Sequence, residues 1–107
     1  MKELDTYQEF TRTTAIYPKD RVFVYLTAGI AEEAGEVAGK FKKSVRDNWQ
    51  YDVFKERVAA ELGDVLWYVA RYADELGIPL SEIASMNQAK LTGRKDNNTI
   101  QGEGDNR

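Results

Sequence analysis

Apolar residues recur at steps of three and four along two long stretches of the chain. One stretch runs from about Arg21 to Arg46 and the other from about Val53 to Leu76. This spacing places the apolar side chains on one face of a helix. The periodic positions are Phe23, Leu26, Ile30, Ala34, Val37 and Phe41 in the first stretch, and Val58, Leu62, Val65, Val69, Tyr72 and Leu76 in the second. The pattern predicts two long amphipathic helices.

Two shorter helices are predicted on either side of this pair, from Leu4 to about Thr14 and from Leu80 to Leu91. The first ends before Pro18, because the residue preceding a proline disfavours helical geometry. Gly77 is expected to end the third helix in a left-handed conformation. No alternating apolar run favours a strand. We therefore expect an all-α bundle of about four helices with a central antiparallel hairpin.

Glycines at 93, 102 and 104 break the periodicity after the fourth helix and predict a polar tail over about residues 93–107. The length of 107 residues favours a single domain covering residues 1–107. Charged residues make up 31% and hydrophobic residues 42% of the chain, which is typical of a soluble globular protein. No stretch approaches the roughly 20 apolar residues of a membrane span, so we predict a cytoplasmic protein without a membrane partner.

Nucleic acid is not an expected partner either. The net charge is −3, and the one small basic patch, formed by Lys40, Lys42 and Lys43, has no interleaved aromatic residues. The chain also contains no cysteine and no histidine. Thiolate chemistry and zinc sites built on these residues are therefore excluded. Oxygen ligands remain, and they favour hard cations such as Mg²⁺ or Mn²⁺.

Two acid pairs interrupt the apolar helices, Glu33 with Glu36 and Glu61 with Asp64. Like charges one turn apart weaken a helix by a few tenths of a kcal/mol, so local stability does not explain them. At about 100° of rotation per residue, both pairs fall on the same flank of their apolar stripes. The pairs are also equally distant from a point between Asn48 and Trp49, inside the polar segment 46–52 where the turn is predicted. In an antiparallel hairpin they would therefore converge.

Four converging carboxylates would be costly without compensation. At about 5 Å and an effective dielectric near 20, each neighbouring pair repels by roughly 3 kcal/mol. Bound divalent cations are the simplest compensation, so the sequence predicts a metal site. Gly35 and Gly63 each cost about 1 kcal/mol relative to alanine in a helix. We expect them to permit close helix approach beneath the metals.

The acid motif resembles the signature of a known family. Its form is Glu-Glu-x-x-Glu, then 24 intervening residues, then Glu-x-x-Asp. The MazG-like nucleotide pyrophosphohydrolases, of the all-α NTP pyrophosphohydrolase superfamily, show the same pattern. The similarity extends to Tyr25-Leu26, Lys42-Lys43, Arg46-Asp47, Val65-Leu66-Trp67-Tyr68-Val69, Asn87, Lys90-Leu91, Arg94 and residues 102–107.

The resemblance implies a helical bundle that assembles as a homodimer or as a homotetramer built from two dimers. It implies hydrolysis of a nucleoside triphosphate between the α- and β-phosphates, giving the nucleoside monophosphate and pyrophosphate. The implied metal ligands are Glu33, Glu36, Glu61 and Asp64. Glu32 is implied as a further ligand or as a base that orients water.

In the expected chemistry Mg²⁺ ions, with Mn²⁺ as an alternative, neutralise phosphate oxygens and activate a water; two or three ions fit such a site, and their number stays open. Without histidine, the base must be a carboxylate or a metal-bound hydroxide, and we choose Glu32 or Glu33. Asn87, Lys90 and Arg94 share one face of the fourth helix and are expected to hold the leaving pyrophosphate. A solvated surface is the alternative reading of Lys90 and Arg94.

Tyr68 lies one turn beyond Asp64 and is a candidate to stack on the nucleotide base. The alternative is an aromatic of the core or of the dimer interface. Two other functions also remain open. One is hydrolysis of a specialised substrate such as phosphoribosyl-ATP or dUTP. The other is a non-catalytic helical interaction module in which the acid cluster holds a metal as a structural staple.

Overall fold

Four α-helices form the protein in a computed structural model that describes residues 1–105. They are α1 (Lys2–Arg12), α2 (Val22–Asp47), α3 (Tyr51–Glu75) and α4 (Leu80–Asp96). No strand occurs in this part of the chain. The all-α prediction is confirmed, and the first three helices differ from their predicted bounds by one or two residues at each end. The last two residues of the predicted tail, 106 and 107, lie outside the described range.

The fourth helix was predicted too short. It continues for five residues beyond Leu91 and passes through Gly93, so the tail begins after Asp96 rather than at residue 93. A single glycine costs a helix only about 1 kcal/mol. Arg94 and Lys95 in the last turn oppose that cost, because cations there complement the helix dipole.

Left-handed residues terminate the two long helices. Asn48 has φ 51° and ends α2, and Gly77 has φ 76° directly after α3, as predicted for that glycine. The backbone amides of Gly77 and Ile78 donate to the carbonyls of Asp74 and Ala73. These bonds satisfy carbonyls at the end of α3 and let the chain turn into α4 within a few residues.

Side chains of α1 form hydrogen bonds that hold the turn between α3 and α4 in place. The Gln8 side chain donates to the Ile78 carbonyl at 3.0 Å and accepts from the Leu80 amide at 2.8 Å. Asp5 accepts from both the amide and the hydroxyl of Ser81, at 2.9 and 2.7 Å. Both residues thus satisfy amides at the beginning of α4 that have no partner within that helix.

A buried arginine joins α1 to α3. Arg71, 3% exposed, donates to the Tyr17 hydroxyl and pairs with Asp74 and Glu75 of its own helix. Asp74 also receives three hydrogen bonds from the guanidinium of Arg12. The charge of Arg71 is therefore paired and hydrogen-bonded, as a buried charge must be.

The buried apolar side chains of the core come mostly from the region where α1, α3 and the start of α4 meet. They are Tyr17, Leu26, Ala70, Ala73 and Leu80. α2 packs against α3 alone among the described helices. The radius of gyration is 16.6 Å, compared with about 13 Å for a compact chain of this length. None of the helices within residues 1–105 has the length and apolarity of a membrane span.

Candidate metal centre

Three of the predicted acids meet between α2 and α3. One carboxylate oxygen each from Glu33, Glu61 and Asp64 can be chosen so that all three lie within 4.8 Å of one another. Glu33 comes from α2, and the other two residues come from neighbouring turns of α3. Glu33 and Glu61 are half-buried and Asp64 is exposed. The cluster therefore opens to solvent on the α3 side.

Burial and repulsion by neighbouring acids both perturb the pKa of Glu33. Burial raises the pKa of Glu33 above its ordinary value, and the charges of Asp64 and Glu61 add to the increase. Smaller contributions come from Glu32 and Glu36. The other four motif acids are thus all close enough to Glu33 to raise the pKa of its carboxyl group.

Glu36 and Glu32 lie beside this triad rather than in it. Both side chains are exposed. Glu36, predicted as a fourth ligand, is not among the three acids whose oxygens converge. Glu32 acts by its charge on Glu33 and also on Tyr68. Both therefore form the rim of the cluster.

Lys40 partly neutralises the site. Its Nζ lies 3.5 Å from Glu61 Oε1, and the two side chains are 23% and 15% exposed. Lys40 follows Glu33 by seven residues, which is about two helical turns, so both side chains leave α2 on the same face.

The three acids suit a hard divalent cation. Two oxygens bound to the same Mg²⁺ lie at most about 4.2 Å apart, since each is about 2.1 Å from the ion. Oxygens already within 4.8 Å of each other need only small side-chain movements to reach that separation. The donor set contains oxygen only, which excludes the soft ligands that favour zinc or copper(I).

Tyr68 packs tightly against α2. A Cβ added at Gly29 would lie 2.5 Å from Tyr68 Cδ1 and 2.6 Å from Cζ, so only glycine leaves room for the ring. The Tyr25 ring is 6.4 Å from that of Tyr68. Burial, then the Tyr25 hydroxyl and the charges of Glu33 and Glu32, raise the pKa of Tyr68 to about 12. Its hydroxyl therefore stays protonated beside the acids at neutral pH.

The expected role of two glycines was wrong. A Cβ at Gly35 or Gly63 would meet no described atom within 4 Å, so neither glycine permits close approach of α2 and α3. Gly29 has that role instead, because an aromatic ring lies directly over it. The apolar spacing gave no signal for this contact, since a glycine adds nothing to the hydrophobic stripe.

Asn87, Lys90 and Arg94 lie along α4, away from the acids. α4 packs against α1 and α3, and no hydrogen bond or ion pair between described residues joins these three side chains to the acid cluster. Asn87 and Lys90 line a cavity of about 310 Å³ together with Ile83 and Met86. Within one chain, the structure does not bring the two sets of predicted site residues together.

The cations of α4 are paired with the tail instead. Asp105 Oδ1 lies 3.1 Å from Arg94 Nη2 and 3.4 Å from Lys90 Nζ. Sequence reasoning missed this contact, and it also missed Tyr7 of α1, whose pKa is raised by burial and by the charge of Asp64. No spacing rule relates residue 7 or residue 105 to the acid motifs; residue 105 lies in the segment 102–107 that resembles the family, but that resemblance names no partner for it.

Comparisons with known proteins agree with this geometry. A model of the MazG nucleotide pyrophosphohydrolase domain matches residues 23–99, a range that contains all five acids and the α4 cations. The chain is also 45% identical to the gene 37 protein of Mycobacterium phage L5, over 97% of this chain and 98% of that protein. No solved structure matched the chain.

Proposed function

The chain belongs to the MazG nucleotide pyrophosphohydrolase family, and from this membership we propose that it hydrolyses nucleoside or deoxynucleoside triphosphates to the monophosphate and pyrophosphate. The observation that carries the proposal is the convergence of Glu33, Glu61 and Asp64 inside the matched region. Enzymes of this family generally depend on a divalent metal, and we propose Mg²⁺, with Mn²⁺ as a substitute.

In this proposal Glu33, Glu61 and Asp64 hold the metal, and Glu36 joins them by a rotation of its exposed side chain. Bound Mg²⁺ would neutralise phosphate oxygens and lower the pKa of a water molecule. Glu32 and Glu33 are the candidate acceptors for the proton of that water. Glu32 is exposed and lies outside the triad, so the metal need not engage its carboxylate, whereas Glu33 is itself one of the proposed ligands.

The proposal includes an antiparallel arrangement of α2 and α3. Phe41 near the end of α2 contacts Phe54 near the start of α3, with ring centroids 5.9 Å apart. Thr27 near the start of α2 lies 3.1 Å from the Tyr72 hydroxyl near the end of α3. The end of α2 thus contacts the start of α3, and the start of α2 contacts the end of α3. Antiparallel helices produce contacts of this kind.

We further propose a homodimer, or a homotetramer built from two dimers. One face of α2 presents residues to solvent at alternating steps of three and four, the spacing of a helix seam. This α2 stripe consists of Val24, Thr27, Ala31, Ala34, Ala38, Phe41 and Val45, all exposed. An apolar stripe of this length on a monomer is unusual, whereas a second helix would bury it.

A dimer would also complete the site. Asn87, Lys90 and Arg94 make no described contact with the acids of their own chain, as noted above. We propose that they hold the phosphates of a substrate bound at the acids of the partner chain. In this arrangement Tyr68 lies beside the acids, where it would contact the nucleotide.

A substrate panel with pyrophosphate detection tests the function. Purified protein is incubated with Mg²⁺ or Mn²⁺ and each of the common NTPs and dNTPs, together with dUTP and phosphoribosyl-ATP. Release of pyrophosphate and monophosphate from ordinary triphosphates is the expected result, and Glu61→Gln should abolish it. Turnover of a single specialised substrate would favour the related enzymes instead. Inactivity across the whole panel would favour a metal-stapled interaction module.

A further inference from the structure

The tail folds back onto the cations of α4. Asp105 Oδ1 accepts from Arg94 Nη2 at 3.1 Å and from Lys90 Nζ at 3.4 Å. The Gly104 carbonyl lies 3.4 Å from the same Arg94 nitrogen. One carboxylate oxygen therefore bridges both of the charged side chains proposed to bind substrate phosphates.

Backbone geometry supports this return of the chain. Asn98 and Gly104 have φ of 56° and 81°, in the left-handed region typical of turns, which glycine adopts without strain. The Thr99 amide donates to the Arg94 carbonyl at 2.7 Å. The tail is thus fastened to the last turn of α4 before it reaches Asp105.

The tail does not occupy all the hydrogen-bond donors of the Arg94 guanidinium. The residue is 7% exposed, and its buried Nε has no hydrogen-bond partner among the described residues. Asp105, in contrast, is 81% exposed and places one oxygen on Nη2 only. A guanidinium is best matched by an anion that accepts from two of its nitrogens at once, as a phosphate does. The Arg94 guanidinium therefore keeps a hydrogen-bond donor that Asp105 does not use.

We propose that Asp105 is a built-in competitor for the phosphate groups of the substrate at Lys90 and Arg94. The inference rests on the proposed function in that it takes these cations as the phosphate site. An exposed carboxylate forms a weak ion pair, so a triphosphate or pyrophosphate, with several charges, displaces it. The tail then acts as a strap: it excludes weakly charged anions from Lys90 and Arg94, and it is displaced from them when a polyphosphate binds.

The test is the binding of inorganic pyrophosphate to the full chain in metal-free buffer, measured by titration calorimetry. Asp105→Asn should bind it about three- to fivefold more tightly than the wild type, because the competing charge is gone. Glu103→Gln is the matched control. It removes the same charge from the same exposed tail, and Glu103 forms no ion pair among the described residues. Its affinity should equal that of the wild type.

Two further readouts separate this inference from the proposed function. Adding Lys90→Met to Asp105→Asn should abolish the gain in affinity, and melting temperatures check that each variant is folded. If hydrolysis occurs, KM for the triphosphate should fall in Asp105→Asn while kcat is maintained. A gain in pyrophosphate binding without any hydrolysis would support competition by Asp105 and would contradict the proposal that the protein is an enzyme.

Several outcomes would overturn the strap. Equal affinity in the wild type, Asp105→Asn and Glu103→Gln would show that Asp105 does not compete. Weaker binding in Asp105→Asn would show that the tail helps to form the site. Absence of measurable pyrophosphate binding in both the wild type and Asp105→Asn, without metal and again with Mg²⁺ to neutralise the acids, would show that these cations are not a phosphate site.

Discussion

Lys40 Nζ lies 3.5 Å from Glu61 Oε1, at the inner edge of the acid cluster. A lysine there supplies part of the positive charge that the carboxylates need in the absence of a metal. The same charge repels a divalent cation that approaches Glu61. The ion pair therefore makes Lys40 a competitor for one of the three proposed ligands.

Lys40→Met is expected to tighten metal binding. Removing a unit charge several ångströms from a dication relieves repulsion on the order of 1 kcal/mol in a solvated site, which corresponds to about fivefold in affinity. Titration of Mn²⁺ into the metal-free protein, followed by calorimetry or by the signal of free Mn²⁺ in electron paramagnetic resonance, measures the change.

Lys43→Met is the matched control for this experiment. Lys43 is also on α2 and half-buried, but among the described residues it forms no ion pair with a motif acid. Its replacement should change Mn²⁺ affinity much less. If Lys40→Met instead weakened binding, Lys40 would be a residue that positions Glu61 for the metal, and the competition argument would be wrong.

Glu33 makes the stability of the metal-free protein depend on pH. Its pKa is raised above the ordinary 4.5 in the folded chain. The folded state therefore binds a proton more tightly than the unfolded state, so the free energy of unfolding falls as pH rises from 4.5 through the folded pKa. With EDTA present, Glu33→Gln should raise the melting temperature at pH 7 by about 2–5 °C. The gain should disappear near pH 4, where both states are protonated.

With Mg²⁺ present, the wild type should have a higher melting temperature than Glu33→Gln. The ion stabilises the wild type by binding only to the folded state, and Glu33→Gln should lose most of that stabilisation. Glu56→Gln, which removes an exposed acid of α3 that does not perturb Glu33, should behave as the wild type throughout. A lower melting temperature for Glu33→Gln in EDTA at pH 7 would contradict the repulsion argument.

Helical periodicity was sufficient to predict the presence of four helices and the meeting of Glu33, Glu61 and Asp64, but it also placed Glu36 in the cluster, and Glu36 lies at its rim. Both depend on local rules, because the apolar face fixes the rotation of each helix and therefore the side on which an acid emerges. The contacts of Asp105 and Tyr7 depend on where the tail and α1 return, which periodicity does not encode. Gly29 was missed for a related reason, since its importance comes from the ring of Tyr68 and not from its own side chain.

Gly29→Ala should destabilise the protein. The added Cβ would lie 2.5 Å from Tyr68 Cδ1, so the ring or the helix must shift. Overpacking of this kind typically costs about 1–3 kcal/mol, which urea unfolding would measure. Gly39→Ala is the control on the same helix, because a Cβ there meets no described atom within 4 Å. It should be neutral or stabilising by up to about 1 kcal/mol. Equal stability of the two variants would show that Tyr68 moves freely.

The α2 stripe should control assembly. Ala38 lies in its middle and is exposed, so Ala38→Glu leaves the fold of one chain intact but would bury a charge in an interface. Sedimentation velocity should show a shift from dimer or tetramer to monomer. Thr6→Glu places the same charge on an exposed position of α1 and should leave the assembly unchanged. An unaltered assembly in Ala38→Glu would place the interface on another surface.

The shared site predicts that two inactive variants restore each other. Glu61→Gln removes a proposed ligand, and Arg94→Met removes a proposed phosphate contact, so each protein alone should be inactive or nearly so. A heterodimer of the two has one site with intact acids from one chain and an intact Arg94 from the other. Random mixing makes about half of the dimers heterodimers, and each heterodimer has one intact site out of two. About a quarter of the wild-type activity should therefore return.

Exchange of subunits must be ensured for this test, which co-expression with two different affinity tags achieves. The doubly purified heterodimer should have about half of the wild-type kcat, because one of its two sites is intact. In the control heterodimer, a wild-type chain is paired with a chain that carries both substitutions. If the sites are shared, one site then contains Glu61→Gln and the other contains Arg94→Met. It should be inactive if the acids and Arg94 come from different chains. Activity in this control together with none in the complementing pair would show that each chain completes its own site.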